Sequence, residues 1–271
     1  MKLFLGAVAV YAGVVALMYL LQTHLLFPAR LAGDGTSRLP DAATYLEVNA
    51  PDNVRLVGMR IKPVNNADVN KPILIGFGGN AWQAQNTAEF LHGLYPENEV
   101  IAFHYRGYGE SAGKPSAERL LSDSLLIYDH VQETVGPRKT VGIGFSIGSA
   151  VAAHLASKRS LAGLILVSPF DSLEALASQH YPWLPVKWFL RHRTETIEDI
   201  QRVTAPTAVI AAELDRIIPP PRTQIVRGVI PNLVLDVTIA GAGHNDLYGR
   251  VEFRKAMEGA MNEIQAVSDQ Q

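Results

Sequence analysis

Cysteine is absent from the 271 residues, which excludes a disulfide framework, a zinc-thiolate site and a thiol nucleophile. An excess of one charge sign is missing as well: 24 Lys and Arg stand against 26 Asp and Glu, a formal net charge of -2. That balance leaves no broad basic surface for a phosphate backbone, and nucleic acid is not an expected partner. Repeats and low-complexity tracts are also lacking. With 48% hydrophobic and 18% charged residues, the chain is no disordered tail and can bury one large core.

One stretch lacks charge altogether. Leu3 to Leu21 runs for 19 positions without Asp, Glu, Lys or Arg, and a helix of that length covers roughly the ~30 Å hydrocarbon core of a bilayer. A cleaved signal peptide would have an apolar region of about 7–15 residues ending in a small-x-small site. This run is longer and continues into Gln22-Thr23-His24-Leu25-Leu26-Phe27. Phe4, Tyr11, Val14 and Leu17 have apolar neighbours on every helical face, so the segment is not an amphipathic core helix. The expected organisation is an N-terminal membrane anchor over 1–27, a linker over 28–42 containing Gly33-Asp34-Gly35 and Pro40, and one domain over 43–271. Removing Met1 through Phe27 should then release a soluble domain. Lys2 precedes the span while Arg30 and Arg38 follow it, a nearly tied count that leans to an extracytoplasmic domain in a single-pass membrane protein.

Beyond the linker, the pattern alternates between short apolar runs and helical stretches. Tyr45 to Val48 and Val54 to Ile61 read as an opening pair of strands around a Pro51-Asp52-Asn53 turn. Runs starting at Ile73, Val100, Val141, Leu164, Thr207 and Leu233 read as buried strands. Helices are expected at 83–94, 116–135, 146–158 and 221–228, with a closing helix from Leu247 to Val267. The fold class is therefore α/β, a mostly parallel sheet flanked by helices.

Gly144-Phe145-Ser146-Ile147-Gly148 follows a predicted strand and opens a predicted helix, the context of a G-x-S-x-G nucleophile elbow. The serine would sit on a strained turn, and side chains two positions either side would collide with neighbouring elements. The start of the helix adds free N–H groups, that of Ile147 among them, aimed where an oxyanion would develop. Gly142-Ile143-Gly144 with Gly148 also allows a degenerate dinucleotide loop, with Asp171 as its ribose acid. A purely structural Gly/Ser turn is the third reading.

A serine needs a base, and of eight histidines His244 is placed best, in Gly243-His244-Asn245-Asp246 between the last strand and the closing helix. His24 belongs to the membrane boundary, and His92, His130 and His154 fall within helices. His104, His180 and His192 remain as alternatives. The imidazole in turn needs a carboxylate to fix its tautomer. Asp215 directly follows a buried strand; Asp171, in Ser168-Pro169-Phe170-Asp171-Ser172, is the fallback and reads more simply as a helix N-cap.

At the loop Gly76-Phe77-Gly78-Gly79-Asn80-Ala81 the chain resembles the α/β-hydrolase superfamily, from Tyr45 to the C-terminal helix. It is most similar to small single-span membrane-anchored members grouped with serine aminopeptidase-like hydrolases. The resemblance rests on Gly78 to Ala81, Tyr105-Arg106-Gly107-Tyr108-Gly109-Glu110-Ser111, Gly144 to Gly148, Ser168 to Ser172, Asp215 and Gly243 to Asp246. It implies a Ser146, Asp215, His244 triad, an oxyanion hole from the backbone N–H groups of Asn80 and Ile147, and neither metal nor organic cofactor. Two positions depart from the pattern. Gly78 stands where the group has histidine, which removes a brace from the oxyanion loop, and His104 stands where aspartate is common.

The insertion where this fold carries its lid, about 170–205, is short and holds Tyr181, Pro182, Trp183, Pro185, Trp188 and Phe189. Such a cap suits a small acyl or lipid-like substrate, or simply packs onto the sheet. Lys187, Arg191, His192 and Arg193 are placed to meet anionic headgroups or to solvate a helix end. The reading is a membrane-anchored serine hydrolase of an ester, thioester or amide. An aminopeptidase-like amidase and a catalytically silent binding protein are the alternatives.

Overall fold

In the computed structural model, residues 1–32, 43–64 and 71–268 are described. Ala43–Asn49 (β1) and Arg55–Ile61 (β2) pair antiparallel across a turn in which Asn53 has φ 59°. Five runs follow in which every residue is buried: Ile73–Phe77 (β3), Val100–Phe103 (β4), Thr140–Phe145 (β5), Gly163–Val167 (β6) and Thr207–Ala212 (β7). Strands covered on both faces show no polar alternation, which is why they read as continuous apolar runs. Leu233–Ile239 (β8) closes the sheet at one edge, in the order β1-β2-β4-β3-β5-β6-β7-β8. From β4 to β8 the neighbours are parallel; β2 is antiparallel to both β1 and β4.

An N-terminal helix, Lys2–Leu26 (α1), precedes the sheet. Ala84–Leu94 (α2) covers one face together with the C-terminal helix, while Ala117–Thr134 (α3) and Ile147–Lys158 (α4) cover the other. Ser116 caps α3, its hydroxyl accepting from the Arg119 N–H at 3.2 Å. Between β6 and β7 lie Leu173–His180 (α5), Val186–Phe189 (α6) and Thr196–Ile200 (α7), the short cap. Pro220–Arg227 (α8) follows β7. The closing helix is Val251–Ser268 (α9), four residues later than expected. Leu247–Gly249 forms a 3-10 turn instead, because the Arg250 guanidinium is held by the Asp246 carboxylate and the Gly241 carbonyl.

The cut after residue 27 passes through packed structure. Phe27 is 2% exposed and, with Ala32, belongs to the core cluster of β3 and α4. The Gln83 carboxamide donates to the Ala32 carbonyl. Ala29–Ala32 forms a 3-10 turn, and residues 33–42 of the expected linker lie outside the described residues. Deleting Met1 through Phe27 is therefore expected to destabilise the domain by about 3–5 kcal/mol through loss of the Phe27 ring alone. A deletion ending at Val10, which removes only exposed residues, should retain the full melting temperature, and thermal unfolding of the two truncations compares them directly.

Candidate active site

Ser146 sits between β5 and α4 with φ 55° and ψ -118°, a conformation L-residues rarely adopt. Its N–H donates to the Val167 carbonyl at 2.9 Å, which ties the turn to β6. The two glycines let the turn close. A methyl on Gly144 would overlap the Gly148 carbonyl, and one on Gly148 would overlap the Phe77 carbonyl at the end of β3. Such backbone crowding explains both glycines without a nucleotide, and the candidate ribose acid Asp171 is engaged elsewhere, its carboxylate accepting from Arg222 at 2.9 Å. Asp171 is not the helix cap either. Ser172 holds that position in extended conformation, one residue nearer α5, and its hydroxyl accepts from the Ala175 N–H at 3.1 Å.

His244 lies in the loop after β8, with Nε2 3.1 Å from Ser146 Oγ and Nδ1 2.7 Å from Asp215 Oδ2. Asp215 follows β7, and its side chain is 2% exposed. Its other oxygen, Oδ1, accepts the backbone N–H groups of Ile217 and Ile218 at 2.9 and 2.7 Å. An ionised carboxylate only accepts, so Nδ1 must carry the proton and Nε2 presents its lone pair to the serine hydroxyl. The Leu214 N–H to the Ala242 carbonyl at 2.8 Å and the Gly241 N–H to the Glu213 carboxylate at 2.7 Å tie the two loops together, and the Gly243 N–H to the Asp246 carboxylate at 2.7 Å closes the His244 loop on itself. Other histidines are occupied elsewhere. His154 pairs with Asp199 at 2.9 Å, His180 with the Ile217 carbonyl at 2.8 Å, and His192 with the Thr23 hydroxyl at 2.8 Å.

Ile147 is the first residue of α4, so its N–H has no carbonyl a turn behind it. Asn80 lies in the loop between β3 and α2, and its carboxamide is busy: Nδ2 donates to the Leu26 carbonyl at 2.7 Å and Oδ1 accepts from the Tyr108 hydroxyl at 3.1 Å. Tyr105 donates to the Gly78 carbonyl at 2.8 Å. Burial pushes both phenols up, which keeps them protonated donors. The tyrosines thus supply the brace that Gly78 does not. A Cβ at Gly78 would lie 2.6 Å from Thr87 Oγ1 and 3.0 Å from Trp82 Cβ, so a histidine there would have to displace both side chains. The segment from Arg106 to Ser111 is structural, as its guanidinium makes paired 2.7 Å bonds to Asp123 and a third to Asp52.

His104 is 1% exposed, and its Nδ1 accepts from the Ala84 N–H at 3.3 Å. Gly109 passes so close that a Cβ would lie 2.5 Å from the ring. Burial pushes this imidazole down to about 4 from 6.5, so the fold holds it neutral. Its contribution to stability is complete above pH about 6.5 and is lost as pH falls toward 4, by up to about 3 kcal/mol. Urea midpoints at pH 7 and pH 5 are expected to differ more for the parent than for His104→Gln.

The serine aminopeptidase (S33) family model matches residues 69–193, a stretch that takes in β3 through α6. An uncharacterized protein of Mycobacterium tuberculosis is 34% identical over 251 residues, 89% of this chain and 88% of the relative. The chain belongs to the α/β-hydrolase superfamily. A lysophosphatidylserine lipase of Danio rerio is 31% identical over 138 residues, 44% of this chain and 36% of that one. Among solved structures, a membrane phospholipase A described as a bacterial virulence factor superposes with a TM-score of 0.64 at 14% identity, covering 98% of this chain and 99% of that one. That superposition takes in α1 as well as the hydrolase fold. The contacts of Gln22, Thr23 and Leu26 with the domain are site features the sequence reading missed. Their one signal was the polar Gln22-Thr23-His24 step at the end of an apolar run.

Proposed function

We propose that this α/β-hydrolase is a membrane-anchored serine hydrolase that cleaves an ester, thioester or amide of an acyl or lipid-like substrate. The observation that carries the reading is the unbroken chain from Ser146 Oγ through His244 to a buried Asp215 beneath a strained elbow. His244 Nε2 takes the hydroxyl proton as Ser146 Oγ attacks the carbonyl carbon. The backbone N–H groups of Ile147 and Asn80 hold the oxyanion. Protonated His244 then returns the proton to the leaving alcohol, thiol or amine, and an acyl-enzyme remains. Water, deprotonated by the same imidazole, releases the acid.

The anchor is α1, an uncharged apolar helix long enough to cross a bilayer, with the domain on its outer side. The named relatives include a lysophosphatidylserine lipase and a phospholipase, which supports an acyl substrate over a peptide amine. The test is fluorophosphonate labelling of the full-length protein with peptide mapping, followed by turnover of aryl acetate and aryl laurate esters. A single adduct on Ser146 and ester turnover are expected. An adduct on another serine, or none, overturns the assignment.

A further inference from the structure

The contacts along α1 set how deep the cap sits. The Tyr11 hydroxyl donates to the Trp183 carbonyl at 2.8 Å. Further along, the Tyr19 and Phe189 rings meet edge-on with centroids 6.0 Å apart. Gln22, 7% exposed, donates to the Phe189 carbonyl and accepts from the Arg191 N–H, latching the cap to the helix. Tyr11 lies ten positions before Leu21, so the cap runs alongside ~15 Å of the uncharged segment, about half of a ~30 Å hydrocarbon core. If α1 crosses a bilayer, the cap must be carried into the adjoining leaflet.

Side-chain exposure agrees with that position. Trp188 is 84% exposed, Trp183 50% and Tyr181 45%, and the apolar flank of α1 beside them is equally uncovered. No charge occurs from Tyr181 to Val186. Lys187 and Arg191 come only afterwards, with side chains long enough to bring their charge to the headgroups. Arg191 is bent back over the Tyr19 ring at 4.9 Å.

Between α1 and the cap runs a groove of about 120 Å³, walled by Val15, Met18 and Leu25 on one side and Ala177, Leu184 and Phe189 on the other. An apolar cavity of ~150 Å³ takes up a benzene molecule, so this space has room for several methylenes. Gln22 is the only amide in the lining, and its polar atoms are used by backbone groups. The groove also touches the chemistry. Leu26 lines it and accepts the hydrogen bond from Asn80, in the loop assigned to the oxyanion.

We propose that this groove holds one acyl chain of a bilayer lipid, admitted sideways from the leaflet in which the cap lies. The proposal rests on the membrane-anchored hydrolase reading and names its substrate source. A water-soluble anionic or peptide substrate would meet no charged side chain in the lining.

Two measurements on the full-length protein in phosphatidylcholine vesicles test it. With lipids brominated along the acyl chain, emission from Trp183 and Trp188 is expected to be quenched at least twofold. The Trp183→Phe/Trp188→Phe variant keeps only Trp82, which stacks on Phe145 at 5.1 Å, and should be quenched far less. Equal quenching of parent and variant, or none in either, places the cap outside the leaflet and overturns the proposal. Filling the groove with Ala177→Trp, or from the opposite wall with Val15→Phe, should lower the laurate-to-acetate ratio of kcat/KM at least tenfold. An unchanged ratio in both variants overturns it as well. A parent that turns over neither ester overturns the hydrolase reading instead, while the quenching, which needs no turnover, still decides where the cap lies.

Discussion

Ser146→Ala is expected to lower ester turnover on the order of 10⁶-fold and to abolish the fluorophosphonate adduct. The reason is that one oxygen is both the proposed attacking atom and the group to which His244 Nε2 is hydrogen bonded. Alanine keeps the backbone at φ 55° and removes no carbon, so the elbow stays as strained as before. The melting temperature should therefore move by no more than a few degrees, a change of about 1 kcal/mol or less. Adduct mass spectrometry, steady-state turnover and thermal unfolding on the same preparation separate lost chemistry from lost fold. Retained turnover by a folded variant would assign the nucleophile elsewhere.

The second large effect is expected at Asp215, where Asn should reduce kcat by up to ~10⁴ with little change of shape. Two backbone N–H groups, from Ile217 and Ile218, point at Oδ1. They select the carboxamide oxygen for that place and leave the NH2 facing His244. The Nδ1 atom must then accept, its proton moves to Nε2, and the serine hydroxyl meets a donor instead of a base. Asp171→Asn should be far milder, since that carboxylate is bonded to Arg222 of α8, whereas His244 is bonded to Asp215. Turnover of the two variants side by side reads the contrast, and a reversal would transfer the acid to the position after β6.

Most of the fold was legible because the sheet interior is covered on both sides and its strands are short unbroken apolar runs, as in Ile73–Phe77 and Gly163–Val167. The three groups now found within hydrogen-bonding distance were legible for a different reason. Each lies in a loop directly after a strand, where a parallel sheet gathers functional side chains from distant positions. Less was legible where the decisive partner is remote in sequence. That Asn80 would be held by Leu26, 54 positions away, or Asp171 by Arg222, 51 positions away, follows from no local pattern. The helix boundary at Val251 was displaced for a similar reason, a guanidinium clamp at Arg250 that overrides propensity. The burial of Phe27 was hidden by its apolar neighbours, which made it look like the tail of the membrane run.

The bond between Asn80 and the Leu26 carbonyl has a mechanical consequence. The last carbonyls of a helix have no partner within it, and here one of them is taken by the loop assigned to the oxyanion. With Gln22, Thr23 and Phe27 also fastened to the domain, no swivel remains between helix and domain. With α1 in a bilayer, as proposed, the domain would not tumble on a tether above it. It would rotate and tilt only as α1 does, and the mouth of the site would keep a constant bearing to the membrane normal.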